Sequence, residues 1–238
     1  MRPSVDIRSS LDGAVASASE AVVAVDIIRA TTTAVTAVAT GRRCYPVADL
    51  DSAHRLAASM PDALLAGEIG GATPAGFALS NSPAELTALN DRRPVVLLSS
   101  SGTRLIDDIR RSPFAYIASF RNYRATIRHL ARLRLPVILI GAPTRGDFRA
   151  EDRMCCAWIA AGLIDAGYAA ADRKTNALVR QWRAASPLDF MWSPSVGFLR
   201  RSRQLRDLAF ILEHFDDVDC ALQISGAEIV AIPPREGR

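Results

Sequence analysis

A few polar residues placed directly after apolar runs could do chemistry in this chain. Asp26 closes the run AVVAV (21–25), and Arg29 and Thr31–Thr33 follow at once. A carboxylate at the end of an apolar strand can hold a hard divalent cation, and a guanidinium three residues on can neutralise a phosphate or sulfonate. The same residues could instead cap a helix and pair with a surface acid. Glu68, in AGEIGG, could ligate the same ion or serve as a turn acid. SSSGT (99–103) offers hydroxyls at Ser99, Ser100, Ser101 and Thr103, and Gly102 lets backbone amides approach an anion at the start of a helix. It is not a Walker loop, because GxxxxGK[ST] is absent.

Glu151 and Asp152 stand at the beginning of another helix, where they could reach a ligand or simply offset the helix dipole. Cys155 and Cys156, one turn further on, read as packing residues without an activating setting. His54, His129 and His214 are scattered among helical stretches, which gives neither HExxH nor a Cys and His cluster for zinc. GxSxG is absent too. If this chain hydrolyses anything, carboxylates and Mg²⁺ are the natural tools.

These residues need elements to position them, and the chain alternates strand, glycine or polar turn, and helix. Strands are expected at 21–25, 44–47, 64–66, 94–100, FAYIAS (114–119) and 136–142, each a buried apolar run. Helices are expected from about Ala30 to a stop at Gly41, Ser52–Ser59, from SGTRLIDDIRR, Tyr123–Leu133, Ala150–Ala166, Arg173–Ala184 and Ser202–His214. SPLDFMWSPSVGF (186–198) reads as a loop rich in bulky groups. Cys220–Ile224 and Glu228–Ile232 read as a hairpin turning at Gly226. Continuous apolar strands alternating with helices predict a sheet covered on both faces. The expected fold is α/β, a three-layer α/β/α sandwich with a mixed, mainly parallel sheet, as one domain over 1–238. Ligands in such folds gather beyond the strand C-termini.

Composition limits the classes of function. Of 238 residues, 49% are hydrophobic and 23% charged, which argues for a packed core. Four cysteines are too few and too awkwardly placed for a disulfide framework, so reduced thiols are expected. Neither a signal peptide nor a run of 18 apolar residues is read, so a cytoplasmic protein without membrane attachment is expected. The net charge of +4 rests almost wholly on arginine. Arg121, Arg124 and Arg128 could form a basic face, but beside Ile127, Leu130 and Leu133 they read as the solvated side of an amphipathic helix rather than a nucleic-acid surface.

A set of blocks in this order resembles the 2-phosphosulfolactate phosphatases of coenzyme M biosynthesis. They are AVDIIRATTTAVTAVATG (24–41), LLAGEIGG (64–71), GFALSNSPAE (76–85), VVLLSSSGT (95–103), SFRN (119–122), EDRMCCA (151–157) and CALQISGAEIVAIP (220–233). The resemblance implies an α/β/α phosphatase and Mg²⁺-dependent hydrolysis of 2-phospho-3-sulfolactate to 3-sulfolactate and phosphate. Carried over by position, its acidic and anion-binding motifs match Asp26, Arg29, Glu68, Asn81, Ser82, Ser99, Ser100, Gly102, Thr103, Asn122, Glu151 and Asp152.

The mechanism this suggests is in-line attack by water, with Mg²⁺ on Asp26, Glu68 and Asp152. Arg29 and the amides around Ser100–Thr103 would stabilise the transferring phosphoryl group, and Glu151 would accept a proton. A covalent path through Asp26 lacks the second acid of a DxD pattern, since residue 28 is isoleucine. Two departures stand out: Ile69 where the family tends to have arginine, and Ser101 where it tends to have asparagine. Losing that arginine removes a bidentate anion donor, so the expected partner is a small anionic phosphate monoester whose second acid is left open. Two other readings stay open, a noncatalytic small-anion or nucleotide-binding protein, and a homo-oligomer using Trp158, Trp182 and Trp192.

Overall fold

The computed structural model describes residues 2–10, 19–143 and 146–233. Thr144 and Arg145, in the loop expected after the 136–142 strand, lie outside the described residues, as do 1, 11–18 and 234–238. Among the described residues ten strands join one sheet. They are β1 (Ser4–Arg8), β2 (Ala21–Val25), β3 (Cys44–Val47), β4 (Leu64–Gly67), β5 (Val95–Leu98), β6 (Ala115–Ala118), β7 (Val137–Gly141), β8 (Ala169–Ala170), β9 (Ala221–Ser225) and β10 (Glu228–Ile232). The helices are α1 (Ala30–Ala39), α2 (Leu50–Ser59), α3 (Pro83–Thr87), α4 (Gly102–Ile109), α5 (Tyr123–Leu133), α6 (Ala150–Asp165), α7 (Arg173–Trp182), α8 (Pro194–Arg201) and α9 (Leu205–Glu213).

The strand order is β4-β5-β3-β10-β9-β6-β2-β7-β1-β8. β4, β5 and β3 pair in parallel, as do β6, β2, β7, β1 and β8. The C-terminal hairpin β9–β10 sits between these two sets and pairs antiparallel with both, to β3 only through Ile229 and Cys44. The expected mixed, mainly parallel sheet is therefore observed, with its antiparallel part at the centre. Gly226, with φ of +59°, makes the turn.

Helices cover both faces. In β2 the side chains alternate, Val23 and Val25 joining one core with Met154, Cys155 and Leu163 of α6, while Val22 and Ala24 join another with Ala34 and Val35 of α1. Such a strand must be apolar at every position, and AVVAV is. All four cysteines are free. No helix among the described residues is long and apolar enough to cross a membrane. The basic side chains at the start of α5 are met by acids, Arg121 by Asp217, Arg124 by Asp216 and Arg128 by Asp219.

One expectation is corrected. The stretch read as a loop at 186–198 contains the start of α8, because Ser193 accepts from the Val196 amide and Pro194 occupies the first helical turn. β1, β8 and α3 were not read from the sequence; β8 has two residues and α3 five, too short for a periodic pattern.

Candidate active site

Asp26 leaves β2 at the point where α1 is about to begin. Thr31 and Thr32 hold that junction, their hydroxyls donating to the carbonyls of Asp26 and Ile27 at 2.8 Å each. The Asp26 amide in turn donates to Thr31 Oγ1 at 2.9 Å. The threonines that weaken α1 by propensity thus tie its N-terminus to the strand. The Asp26 carboxylate is left with one long contact, from the Ala30 amide at 3.3 Å to Oδ1. Burial raises its pKa to about 7; the Ala30 amide opposes this, the charges of Glu68 and Glu151 add to it, and Arg29 lowers it.

The turn after β5 comes against this carboxylate. A Cβ at Gly102 would lie 2.2 Å from Asp26 Oδ2 and 2.5 Å from Ala30 Cβ, so only glycine allows α4 to begin so close to the acid. Ser99 and Thr103 are used in building that turn, the Ser99 amide donating to Thr103 Oγ1 at 2.8 Å and the Thr103 amide to Ser99 Oγ at 3.1 Å. The Ser100 amide donates to Glu68 Oε1 at 2.7 Å. Of the amides expected to cradle an anion, those of Ser101 and Gly102 alone have no acceptor among the described residues.

Glu68 follows β4 and is saturated by its own surroundings. Besides the Ser100 amide it accepts from the Gly71 amide at 2.6 Å and from Ser100 Oγ at 3.1 Å. Ser100 Oγ accepts from the Gly70 amide at 2.7 Å. One carboxylate thereby fastens the Gly70–Gly71 turn to the β5–α4 turn.

Arg29, 4% exposed, is paired through Nη1 with Asp207 of α9. Asp207 also accepts from Ser82 Oγ and, at 3.2 Å, from the Ala84 amide. Ser82 caps α3 as well, accepting from the Glu85 amide at 3.0 Å. Asn81 beside it is buried, and its Oδ1 has no hydrogen-bond partner among the described residues. Asp207 was missed by sequence reasoning, although it stands three and four residues before Phe210 and Ile211 on the buried face of α9, where a charge needs a partner.

From α6, Asp152 accepts the Ile27 amide through Oδ1 at 2.8 Å. Burial holds its pKa well above the carboxylate range, with the charges of Glu151 and Asp26 adding to the effect. Glu151 is also raised by burial, opposed by the hydroxyls of Ser195 and Ser193, and its Oε2 has no partner among the described residues.

These pieces surround a cavity of about 280 Å³. Of the residues singled out in the sequence, Asp26, Arg29, Glu68, Asn81 and Ser100 line it; Ile28, Gly70, Gly71, Ser101, Arg149, Pro194, Ser195, Phe198 and Arg201 complete it. Ser82, Ser99, Gly102, Thr103, Glu151 and Asp152 stand behind the wall in the contacts just described. Asn122 is elsewhere: its Oδ1 accepts from the Ser119 amide at 2.9 Å and its Nδ2 reaches the Cys220 carbonyl at 3.5 Å, joining β6 to the start of the hairpin. The ligand trio expected of Asp26, Glu68 and Asp152 is not assembled. Among the described residues no three acidic, histidine or cysteine side chains are grouped to hold a metal ion. The reason is local, since Asp152 is turned to the Ile27 amide and Glu68 to its two turns.

Fold and cavity together define an α/β protein whose described residues bring an acid, an arginine and a helix start together around a cavity at the strand ends. The family model for 2-phosphosulpholactate phosphatase matches residues 9–234, and the chain belongs to that family. A "Probable 2-phosphosulfolactate phosphatase" of Carboxydothermus hydrogenoformans is 37% identical over 134 residues, 56% of each chain. Proteins of the same description from Synechocystis sp. and Prochlorococcus marinus are 33% identical over 68% of this chain and 71% of the relative, and 27% identical over 92% and 90%. This chain thus spans little more than half the length of the first of these relatives.

Proposed function

We propose that this chain hydrolyses a phosphate monoester, with 2-phospho-3-sulfolactate as the substrate and 3-sulfolactate and phosphate as products. The observation that carries the reading is the contact between Asp26 and the α4 N-terminus at Gly102, which sets a poorly compensated carboxylate beside two free amides. Family membership and the relatives' names support the same reaction class.

Mg²⁺ fits the donors present. It takes one or two carboxylates, keeps several waters and completes its shell with substrate phosphate, so it does not need a closed protein cage. Of the two carboxylates that line the cavity, Asp26, with its one long amide contact, would hold it, while Glu68 is taken up by its two turns. When bound, the ion would neutralise charge on the phosphoryl oxygens and orient water.

The chain's own groups do the rest. The amide of Ser101, which lines the cavity, and the positive end of α4 receive a phosphoryl oxygen. Arg29, fixed by Asp207, presents its remaining N–H groups to the same group without having to be ordered at the moment of reaction. Water attacks phosphorus and gives up a proton, the bond from phosphorus to the ester oxygen breaks, and the ester oxygen leaves with the electron pair and takes up a proton, so that the hydroxy acid and phosphate are released. Glu151, expected from sequence as the proton acceptor, is given a positioning role here, because it stands behind the wall in contact with Ser195 and adds to the charge around Asp26.

Phosphate release from 2-phospho-3-sulfolactate should be measured before EDTA, after EDTA and after Mg²⁺ is restored. Loss and recovery of release are expected. No release from this ester or from a panel of other monoesters would favour a noncatalytic anion-binding protein, and release indifferent to EDTA would remove the metal.

A further inference from the structure

Three of the described arginines line the cavity, and they are not equivalent. Arg29 is buried against Asp207, and Arg149 is paired with Asp147 through Nη1 at 2.8 Å. Arg201, in the last turn of α8, lines the cavity with no hydrogen-bond or ion-pair partner among the described residues. A phosphoryl group at Asp26 and the α4 amides leaves this cation for something else. The helix carrying it is held in place: Ser193 caps it, and Phe198 packs so tightly on the Glu68 turn that a Cβ at Gly71 would lie 2.5 Å from its Cζ. Arg201 itself is exposed, so the helix sets where its side chain starts while its guanidinium stays uncommitted, and such a cation on the cavity wall reads a second anion.

We propose that Arg201 binds the acidic group of the substrate that is not hydrolysed, a sulfonate or carboxylate, and so sets specificity for phosphate esters that carry a second acid. This rests on the phosphatase reading for its substrate. It also shifts the question raised by Ile69, which is 49% exposed and does not line the cavity, so the arginine missing there has a counterpart on a different element.

The bland role for Arg201 is to offset the dipole at the C-terminus of α8, a role that Arg200 shares without lining the cavity. Arg200→Gln is therefore the control for Arg201→Gln. The kcat/KM of both variants and wild type should be compared on 2-phospho-3-sulfolactate, on 2-phospholactate, which lacks the sulfonate, and on isopropyl phosphate, which has neither acid; Ki replaces kcat/KM where an ester is not turned over. Arg201→Gln should lose roughly 10- to 100-fold on the first ester and less than about 3-fold on isopropyl phosphate, with Arg200→Gln near wild type throughout. If 2-phospholactate is spared, the sulfonate is the group read; if it falls equally with the first ester, the carboxylate is. Equal loss on all three esters, or equal loss in the two variants, would overturn the proposal. Absence of any turnover by wild type is a failure of the phosphatase reading alone, and calorimetric titration with 3-sulfolactate then decides: binding weakened in Arg201→Gln supports the role, and unchanged binding overturns it.

Discussion

Asp26 and Glu68 face one cavity from the two parallel parts of the sheet, and their surroundings treat them in opposite ways. Glu68 is partly exposed and takes short hydrogen bonds from the Gly71 and Ser100 amides and the Ser100 hydroxyl. Asp26 is 7% exposed, has a single amide contact at 3.3 Å, and feels the charges of Glu68 and Glu151. A carboxylate given so many donors is a building element that joins two turns. One kept buried and under-solvated stores an electrostatic deficit, which a cation or a proton relieves. The comparison assigns framing to Glu68 and chemistry to Asp26.

The largest effect should follow from Asp26→Asn. Turnover of 2-phospho-3-sulfolactate should fall by roughly 1,000-fold, measured as kcat/KM at saturating Mg²⁺. Stability should move the other way. Because the folded protein raises the Asp26 pKa to about 7, the fold favours the protonated acid, so stability is fullest below the unfolded carboxylate pKa and is lost as pH rises through about 7. In metal-free protein at pH 8, Asp26→Asn should therefore raise Tm by roughly 5 °C, with little difference from wild type at pH 4. Thermal melts across this window check the sign; a lower Tm for the variant at pH 8 would erase the contrast with Glu68.

Next in size is Gly102→Ala, which places a methyl group against Asp26 Oδ2 and Ala30 Cβ. Activity should drop roughly 100-fold and stability by about 1–3 kcal/mol, read from kinetics and urea unfolding. Full activity would mean that the closeness of α4 to Asp26 has no bearing on the reaction.

Asp207→Asn tests the arginine side of the cavity. Removing a buried partner leaves the Arg29 charge uncompensated, so the fold should lose about 3 kcal/mol and kcat/KM roughly 30-fold. Glu68→Gln should have the smallest effect, roughly 5-fold in kcat/KM, because the amide oxygen still accepts from one of the two turns. A loss there as large as in Asp26→Asn would reverse the assignment of roles.

Much of this was legible in the sequence because the buried strands are apolar at every position and end at polar residues. AVVAV followed by Asp26 marks the end of β2, whereas the strand expected at 94–100 overruns β5 by two residues into SSSGT, because serines can end a strand or continue one. The hairpin was legible as well, but its insertion between two parallel sets was not, since strand order depends on contacts far apart in the chain. The wall formed by α8 was hidden for another reason. Its signal is the second of two Ser-Pro pairs in a bulky, aromatic stretch, the first of which starts no helix, and Arg201 gains significance only from where Phe198 seats the helix. Asp207 was obscured by lying in an amphipathic pattern, and the division of labour among the carboxylates was invisible because it depends on which amides each one meets.

The division between Asp26 and Glu68 is tested most directly by Mg²⁺ titration calorimetry on wild type, Asp26→Asn and Glu68→Gln, each after EDTA treatment and with circular dichroism as a check on folding. The account predicts that Asp26→Asn weakens Mg²⁺ binding by at least about 10-fold, while Glu68→Gln weakens it by less than about 3-fold. Wild-type affinity in Asp26→Asn, or a greater loss in Glu68→Gln, would contradict it.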